Sequence, residues 1–287
     1  MANPLLQEWK TPHGLAPFNA ISDDDFAPAL DQALAIHRAE IEAIANDPTP
    51  PDFANTVEAL EAAGQALDAV LSVFFTVAGA DSNPLREDLQ RQFSPKLSAH
   101  FSEISSNKVL FGRVAAVWDQ RDDLQLTDEQ ARVLMLTHRG FVRSGAALEG
   151  ADDARMKEIK SRLAVLGTQF TQNLLADERD WQMELNEADL DGLPDFVIRA
   201  ARAAGEEKGA DGPVVTLSRS LIVPFLQFSD RRDLRQKAYE AWAARGANGG
   251  DTDNRALAAE TLKLREHRAR LLGYDSFADY KLETEMA

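Results

Sequence analysis

The chain has 287 residues, no cysteine, and a formal charge of −16 from 31 basic and 47 acidic side chains. That balance excludes a phosphate-binding surface, which needs a basic patch, so neither nucleic acid nor an anionic membrane is expected as a partner. The missing cysteines exclude disulfides, thiolate nucleophiles and Cys-ligated metals, and they fit a cytoplasmic protein.

The hydrophobic fraction of 44% is enough for a sizeable core. The first residues, Met1 to Trp9, lack the basic and apolar regions of a signal peptide, and no uninterrupted apolar run reaches bilayer length. Pro4, Pro12, Gly14 and Pro17 make the segment up to Ile21 read as an extended arm. Ser22 and Asp25 then form a capping box ahead of a helix whose inward face carries Phe26, Leu30, Leu34, Ile41 and Ile44.

Asn46 to Pro51 ends that helix. A second is predicted from Asn55, with Val57, Leu60, Leu67, Leu71, Phe74 and Phe75 inward, and Gly79–Asn83 as the following loop. Pro84 suits the first position of a third helix carrying Leu85, Leu89, Phe93, Leu97, Phe101 and Ile104, with Pro95 as an internal kink. A fourth covers Val109 to Trp118. Thr127 to Gln130 is another capping box, opening a helix through Val133, Leu134 and Phe141. Asp152 to Ala176 is long and periodic, with Met156, Ile159, Leu163, Leu166, Phe170 and Leu174 on one side.

After Trp181 the pattern changes. Trp181 to Leu185 alternates like a strand, Asp191 to Pro194 is a turn, and Gly205 to Gly212 reads as a small polar loop. Val214 to Phe228 reads as extended, being β-branched and aromatic with Pro224 suited to an edge. Helices resume near Asp230 and Thr252, separated by Gly246 to Gly250. The expected fold is mainly α: a multi-helix bundle with a small antiparallel β element near 181–228. The expected organisation is a helical lobe over 1–180, a β-containing segment over 181–228, and helices over 229–287.

Motifs of known chemistry are incomplete in this sequence. His13, His37, His100, His138 and His267 contain no His-Glu-x-x-His pair, the spacing that sets two imidazoles one turn apart for zinc. His37 and His100 fall on or beside apolar stripes and read as hydrogen-bonded interface histidines. His267, on a charged face, reads as solvated. Glu187, Asp189, Asp191 and Gly192 imitate an EF-hand start, but Ile198 stands where the closing Glu belongs. Asp251 and Asp253 lack the central glycine, and Gly246–Gly250 is not followed by Gly-Lys-Ser/Thr. No catalytic, cofactor-binding or metal residue is therefore assigned.

Several blocks nonetheless occur in a familiar order. They are Asn3-Pro4-Leu5-Leu6 with Trp9, Asp25-Phe26-Ala27-Pro28-Ala29, and Phe53 to Glu61. Leu190-Asp191-Gly192-Leu193-Pro194 follows, then Asp230 to Arg235 with Tyr239 and Arg245, and finally Leu271-Leu272-Gly273-Tyr274 with Phe277-Ala278. Together they resemble the N-terminal, mostly helical part of M3-family zinc metallopeptidases of the dipeptidyl carboxypeptidase and oligopeptidase A type. The resemblance implies short peptides as substrates, a deep channel between helical lobes, and zinc held by His-Glu-x-x-His with a downstream Glu in the complete enzyme. This sequence reaches Ala287 before any such motif. The expectation is a chain cut ahead of a C-terminal catalytic half, inactive and zinc-free by itself. The alternative is a freestanding helical interaction or inhibitory module derived from such a peptidase.

Overall fold

The computed structural model describes residues 3–81 and 83–286. Met1, Ala2 and Ala287, at the two ends read above, and Ser82, in the loop expected after Gly79, lie outside them. Two compact units divide the chain, Met1–Asp153 and Ala154–Ala287. The fold is mainly helical with one small antiparallel sheet, as the sequence predicts.

In the first unit the N-terminal arm is a series of 3-10 turns, Pro4–Leu6, Pro12–Gly14 and Phe18–Ala20, not a plain extended strand. Leu5 anchors it in the core. Asp25 accepts from both the Ser22 N–H (2.8 Å) and its hydroxyl (2.7 Å), closing the expected capping box ahead of α1 (Phe26–Ala45). A second box, Asp52 with Asn55, opens a π-helical turn, Phe53–Glu58, which runs into α2 (Ala59–Ala62).

The single helix predicted from Asn55 is broken here. Gly64 takes φ +85°, and α3 (Gln65–Ala80) starts after it. A Cβ at Gly64 would lie 3.1 Å from the His37 ring, so both the backbone sign and the available space call for glycine. Phe53–Ala80 as a whole has the length and apolarity of a membrane-crossing helix. The break at Gly64, and the burial of Leu67, Val70, Val73 and Phe74 in a core shared with α1, make α3 a core helix of this unit. It also runs through Gly79 and Ala80, which were expected in the loop.

Next come α4 (Pro84–Ser105), with Asn83 capping the Arg86 N–H, and α5 (Lys108–Asp119). α4 continues across Pro95. Phe75, Leu85 and Phe101, all expected inward, are each nearly half exposed. The reason is angular. Successive residues are about 100° apart, so a strict i+4 series drifts by about 40° per step. Leu89, Phe93 and Leu97 stay on the core side, and Leu85 and Phe101 rotate to its margins. His100, seven residues after Phe93, returns to the centre and is 3% exposed. α6 (Asp128–Ser144) opens on the Thr127–Gln130 box and ends at Gly145 in the left-handed region. Its Phe141 joins Leu110 and Val114 of α5 and Ile41 of α1 in a second cluster.

Nearly all of α7 (Gly150–Asp180) belongs to the second unit. β1 (Gln182–Glu184) pairs antiparallel with β2 (Val214–Thr216), Met183 standing opposite Val215. Between them lies α8 (Asp195–Lys208), a helix the sequence reading did not place. The loop expected from Gly205 to Gly212 begins only at Gly209. Gly205 lies within that helix, and the position calls for glycine because a Cβ there would sit 2.1 Å from the Gly212 carbonyl oxygen.

The extended run expected over Val214–Phe228 is corrected as well. Only Val214–Thr216 is strand, and α9 (Arg219–Phe228) is a helix containing Pro224. Magnitudes explain the outcome. An interior proline costs about 3 kcal/mol. Burying Leu221, Ile222 and Phe225, which share one helical face, returns about 1.5–3 kcal/mol apiece. These three join Met183, Val197, Val215 and Ala238 in the unit's main core. α10 (Arg232–Ala243), α11 (Arg255–Leu271) and α12 (Phe277–Leu282) complete the chain, Leu264 of α11 meeting Ile159 and Leu166 of α7.

Candidate functional site

His37, His100 and His138 are each engaged with another ring. His37 Nδ1 and His100 Nε2 face each other at 3.0 Å, bearing out the reading of both as hydrogen-bonded interface residues. The His138 ring stacks on Trp118 with centroids 4.7 Å apart and an interplanar angle of 6°. Burial pushes its pKa down, opposed by the charge of Asp119. His267 is exposed on α11. Among the described residues no group of three or more His, Asp or Glu side chains converges as a metal site. Zinc needs three or four such donors, so the described residues do not fit it.

The calcium lookalikes are structural too. Glu187–Leu190 is a 3-10 turn closed by Asn186 and Asp189, and Asp189, 5% exposed, pairs with Arg231. Asp253 accepts from the Arg255 guanidinium Nε at 3.0 Å and from the Arg255 N–H at 2.9 Å. Those two bonds, side chain first, hold its carboxyl far below the ordinary range.

The feature best suited to hold a ligand is a groove of about 760 Å³ in the second unit. Glu178 and Arg179 at the end of α7 form one side, and Ala200, Ala203 and Ala204 of α8 form a shallow floor. The end of β2 at Thr216 and the start of α9 at Ser218–Leu221 form the other side. Glu207, Lys208 and Arg219 add charge of both signs. The lining offers hydroxyls, charged groups and small side chains, which suits holding a polar chain and provides no nucleophile–base pair.

A second cavity, about 280 Å³, lies beside it under Trp181, Leu217 and Ala241. One wall of this cavity is the loop that follows α10, and Asp177 of α7 fastens that loop. Its carboxylate accepts from the Gly246 N–H at 2.7 Å, from the Asn248 amide at 2.9 Å and from the Thr252 hydroxyl. Buried Asn254 completes the attachment, donating to the Phe170 carbonyl at 3.0 Å and accepting from Asn173 at 2.8 Å. Gly246, at φ +68°, packs against Asn254 and Leu174. The sequence marked Gly246–Gly250 as a break between helices. It held no sign of Asp177, whose partners lie about seventy residues away. Asp177→Ala is expected to destabilise the second unit by about 2 kcal/mol, since it removes three bonds to a charged, half-buried acceptor. Urea unfolding measures the loss. Hydrogen exchange should place it in residues 246–254, and unchanged protection there would refute the role of Asp177.

Known proteins resemble the chain from end to end. It is 36% identical to dipeptidyl carboxypeptidase of Salmonella typhimurium over 99% of its own length and 42% of that protein. The Escherichia coli dipeptidyl carboxypeptidase matches equally, at 36% with the same coverage. Oligopeptidase A of Salmonella typhimurium is 30% identical over all of this chain and 42% of that protein. Residues 225–287 also match the model of Peptidase family M3. The helical fold is thus that of a peptidase relative. The chain is similar along its whole length to peptidases of this kind, and it spans about two fifths of the length of the curated relatives it matches.

Proposed function

We propose that this chain is the non-catalytic, N-terminal lobe of a zinc-dependent M3 peptidase that hydrolyses short peptides in the cytoplasm. The observation that carries the reading is the match to dipeptidyl carboxypeptidase over 99% of the chain at 36% identity. In this reading residues 1–180 are a helical lobe, 181–228 carry the small sheet, and 229–287 lead into a catalytic half that supplies zinc and its ligands. The start of the family-model match at Phe225 supports that order. The lobe's part is steric and electrostatic. A rigid helical wall beside a recessed metal admits a thin, unfolded chain and excludes a folded one, and the excess of acidic residues favours peptides with basic groups.

The test joins this chain to the C-terminal half of the E. coli dipeptidyl carboxypeptidase in place of that enzyme's matching region. Circular dichroism establishes that the chimera is folded. It is expected to cleave a short peptide in a chelator-sensitive way and to leave intact a folded protein displaying the same sequence in a surface loop. Equal cleavage of both would remove the gating role. A folded, zinc-loaded chimera without peptidase activity would remove the lobe assignment. The 287-residue chain alone is expected to show neither activity nor a tight stoichiometric zinc site, and isothermal titration with zinc checks the second point.

A further inference from the structure

We propose that His37 and His100 form a pH-sensitive clasp between α1 and α4, closed when the pair is neutral and opened when both rings carry a proton. The two rings come from helices 63 residues apart in sequence, with centroids 4.9 Å apart and facing nitrogens at 3.0 Å. One ring must donate and the other accept, so at least one of the facing nitrogens must be unprotonated.

The surroundings make the two protons unequal. His37 is half-buried on α1, over the Gly64 backbone. Burial lowers its pKa, and Glu40 of α1 and Asp68 of α3 oppose that shift. Glu40 also accepts from the Gly64 N–H at 2.8 Å, which fixes it near the ring. A first proton on His37 is therefore tolerated, because its Nδ1–H then donates to His100. A second proton is not. His100 is 3% exposed, and its Nδ1 has no partner. Burial lowers its pKa first, then the charges of His37 and Arg38, with Glu103 of α4 in opposition. Arg38 is itself tied to Glu103 at 3.8 Å. A doubly protonated pair sets two cations against each other and turns two N–H groups face to face at 3.0 Å. Separation of α4 from α1 relieves both, and the half-exposed Phe101 ring, 5.5 Å from His100, moves with it.

The sign follows from the lowered values. The unfolded chain takes up protons near pH 6.5, where the folded pair still resists them. Stability is therefore full above that pH and falls as the pH drops toward the folded values. Each proton taken up on unfolding raises the unfolding constant about tenfold per pH unit. The experiment compares urea unfolding of the full chain from pH 7.5 to 5 with that of the His37→Gln and His100→Gln variants. The parent is expected to lose stability more steeply than either variant. His138 titrates equally in all three and cancels. Exchange protection at pH 5.5, corrected for intrinsic rate, should fall in α4 more than in α5. Identical pH slopes in parent and variants would overturn the clasp. If the variants do not fold, NMR titration of the parent decides. Ring resonances that titrate independently near pH 6.5 with α4 unchanged would overturn it, and a coupled, depressed titration would support it.

Discussion

Phe74→Ala is expected to destabilise the first unit by about 3–5 kcal/mol, the range for emptying a fully buried aromatic site that cannot collapse. Phe74 lies on α3 with no exposed surface, and it is where three helices meet. Its ring makes an edge contact with Phe26 of α1 at 5.1 Å and a tilted contact with Phe93 of α4 at 4.7 Å. Each such pair adds about 0.5–1.5 kcal/mol beyond the buried area. Truncation therefore forfeits these two ring contacts and a third with Phe75, as well as the transfer energy, and the walls of the void come from separate elements that cannot all move inward. The adjacent Phe75 supplies the control, because it is 41% exposed and, among the described aromatic rings, touches Phe74 alone, at 5.2 Å. Phe75→Ala should cost less than half as much. Chemical denaturation followed by far-UV circular dichroism measures both, and exchange protection in α1, α3 and α4 shows which unit has weakened. Equal losses in the two variants would mean that Phe74 is not the packing centre described here.

The Phe74 and Phe75 pair also shows where periodicity stops being informative. Both lie on the apolar side of α3, but Phe74 follows Leu67 by seven residues, about 20° off its direction, and Phe75 follows by eight, about 80° off. The same geometry separates buried His100 from half-exposed Phe101. Most of the helices and two of the capping boxes were legible because each is local: Ser22 with Asp25 or Thr127 with Gln130 needs only a three-residue spacing. The small sheet showed in the alternation of Trp181 to Leu185 and the β-branched start of the run at Val214. The break at Gly64 and the helix α9 were not legible, because tertiary packing decides them. His37 stacks over the glycine, and core burial outweighs Pro224. The candidate groove was legible only in its strand end at Thr216. Its other walls come from α7, from α8, which the sequence reading left out, and from the start of α9. That His37 and His100 each make a hydrogen bond was readable from their position beside apolar stripes. That they bond to each other was not, since nothing local joins residues 63 apart.

Arg113→Met is expected to destabilise the first unit by about 3 kcal/mol, close to the cost of removing one member of a buried charged network. In the sequence Arg113 is an unremarked basic residue on α5. In the fold it is 7% exposed and holds the proline-rich connection after α1 in place. Its Nη1 donates to the carbonyls of Asp47 (2.8 Å) and Thr49 (3.0 Å), and its Nη2 donates to the Asn55 side chain at 2.9 Å. The Asp47 carboxylate stands 3.6 Å away and is held below its ordinary pKa by the Thr49 N–H and hydroxyl, with the Arg113 charge adding to them. One guanidinium thus satisfies two loop carbonyls and the Asn55 oxygen that also completes the Asp52 capping box. Methionine keeps most of the volume and none of the donors, which leaves those acceptors facing an apolar side chain. Lysine keeps the charge but not the planar fork, so Arg113→Lys should recover less than half of the loss. Arg121→Met is the surface comparison, because its guanidinium lies over Trp118 with 40% of the side chain exposed, and it should cost at most about 1 kcal/mol. Urea midpoints for the three variants, with exchange protection read over residues 47–58, give the ordering. Full rescue by lysine would show that Arg113 acts as a charge alone, and a loss in Arg113→Met no larger than in Arg121→Met would show that the connection is held by its prolines.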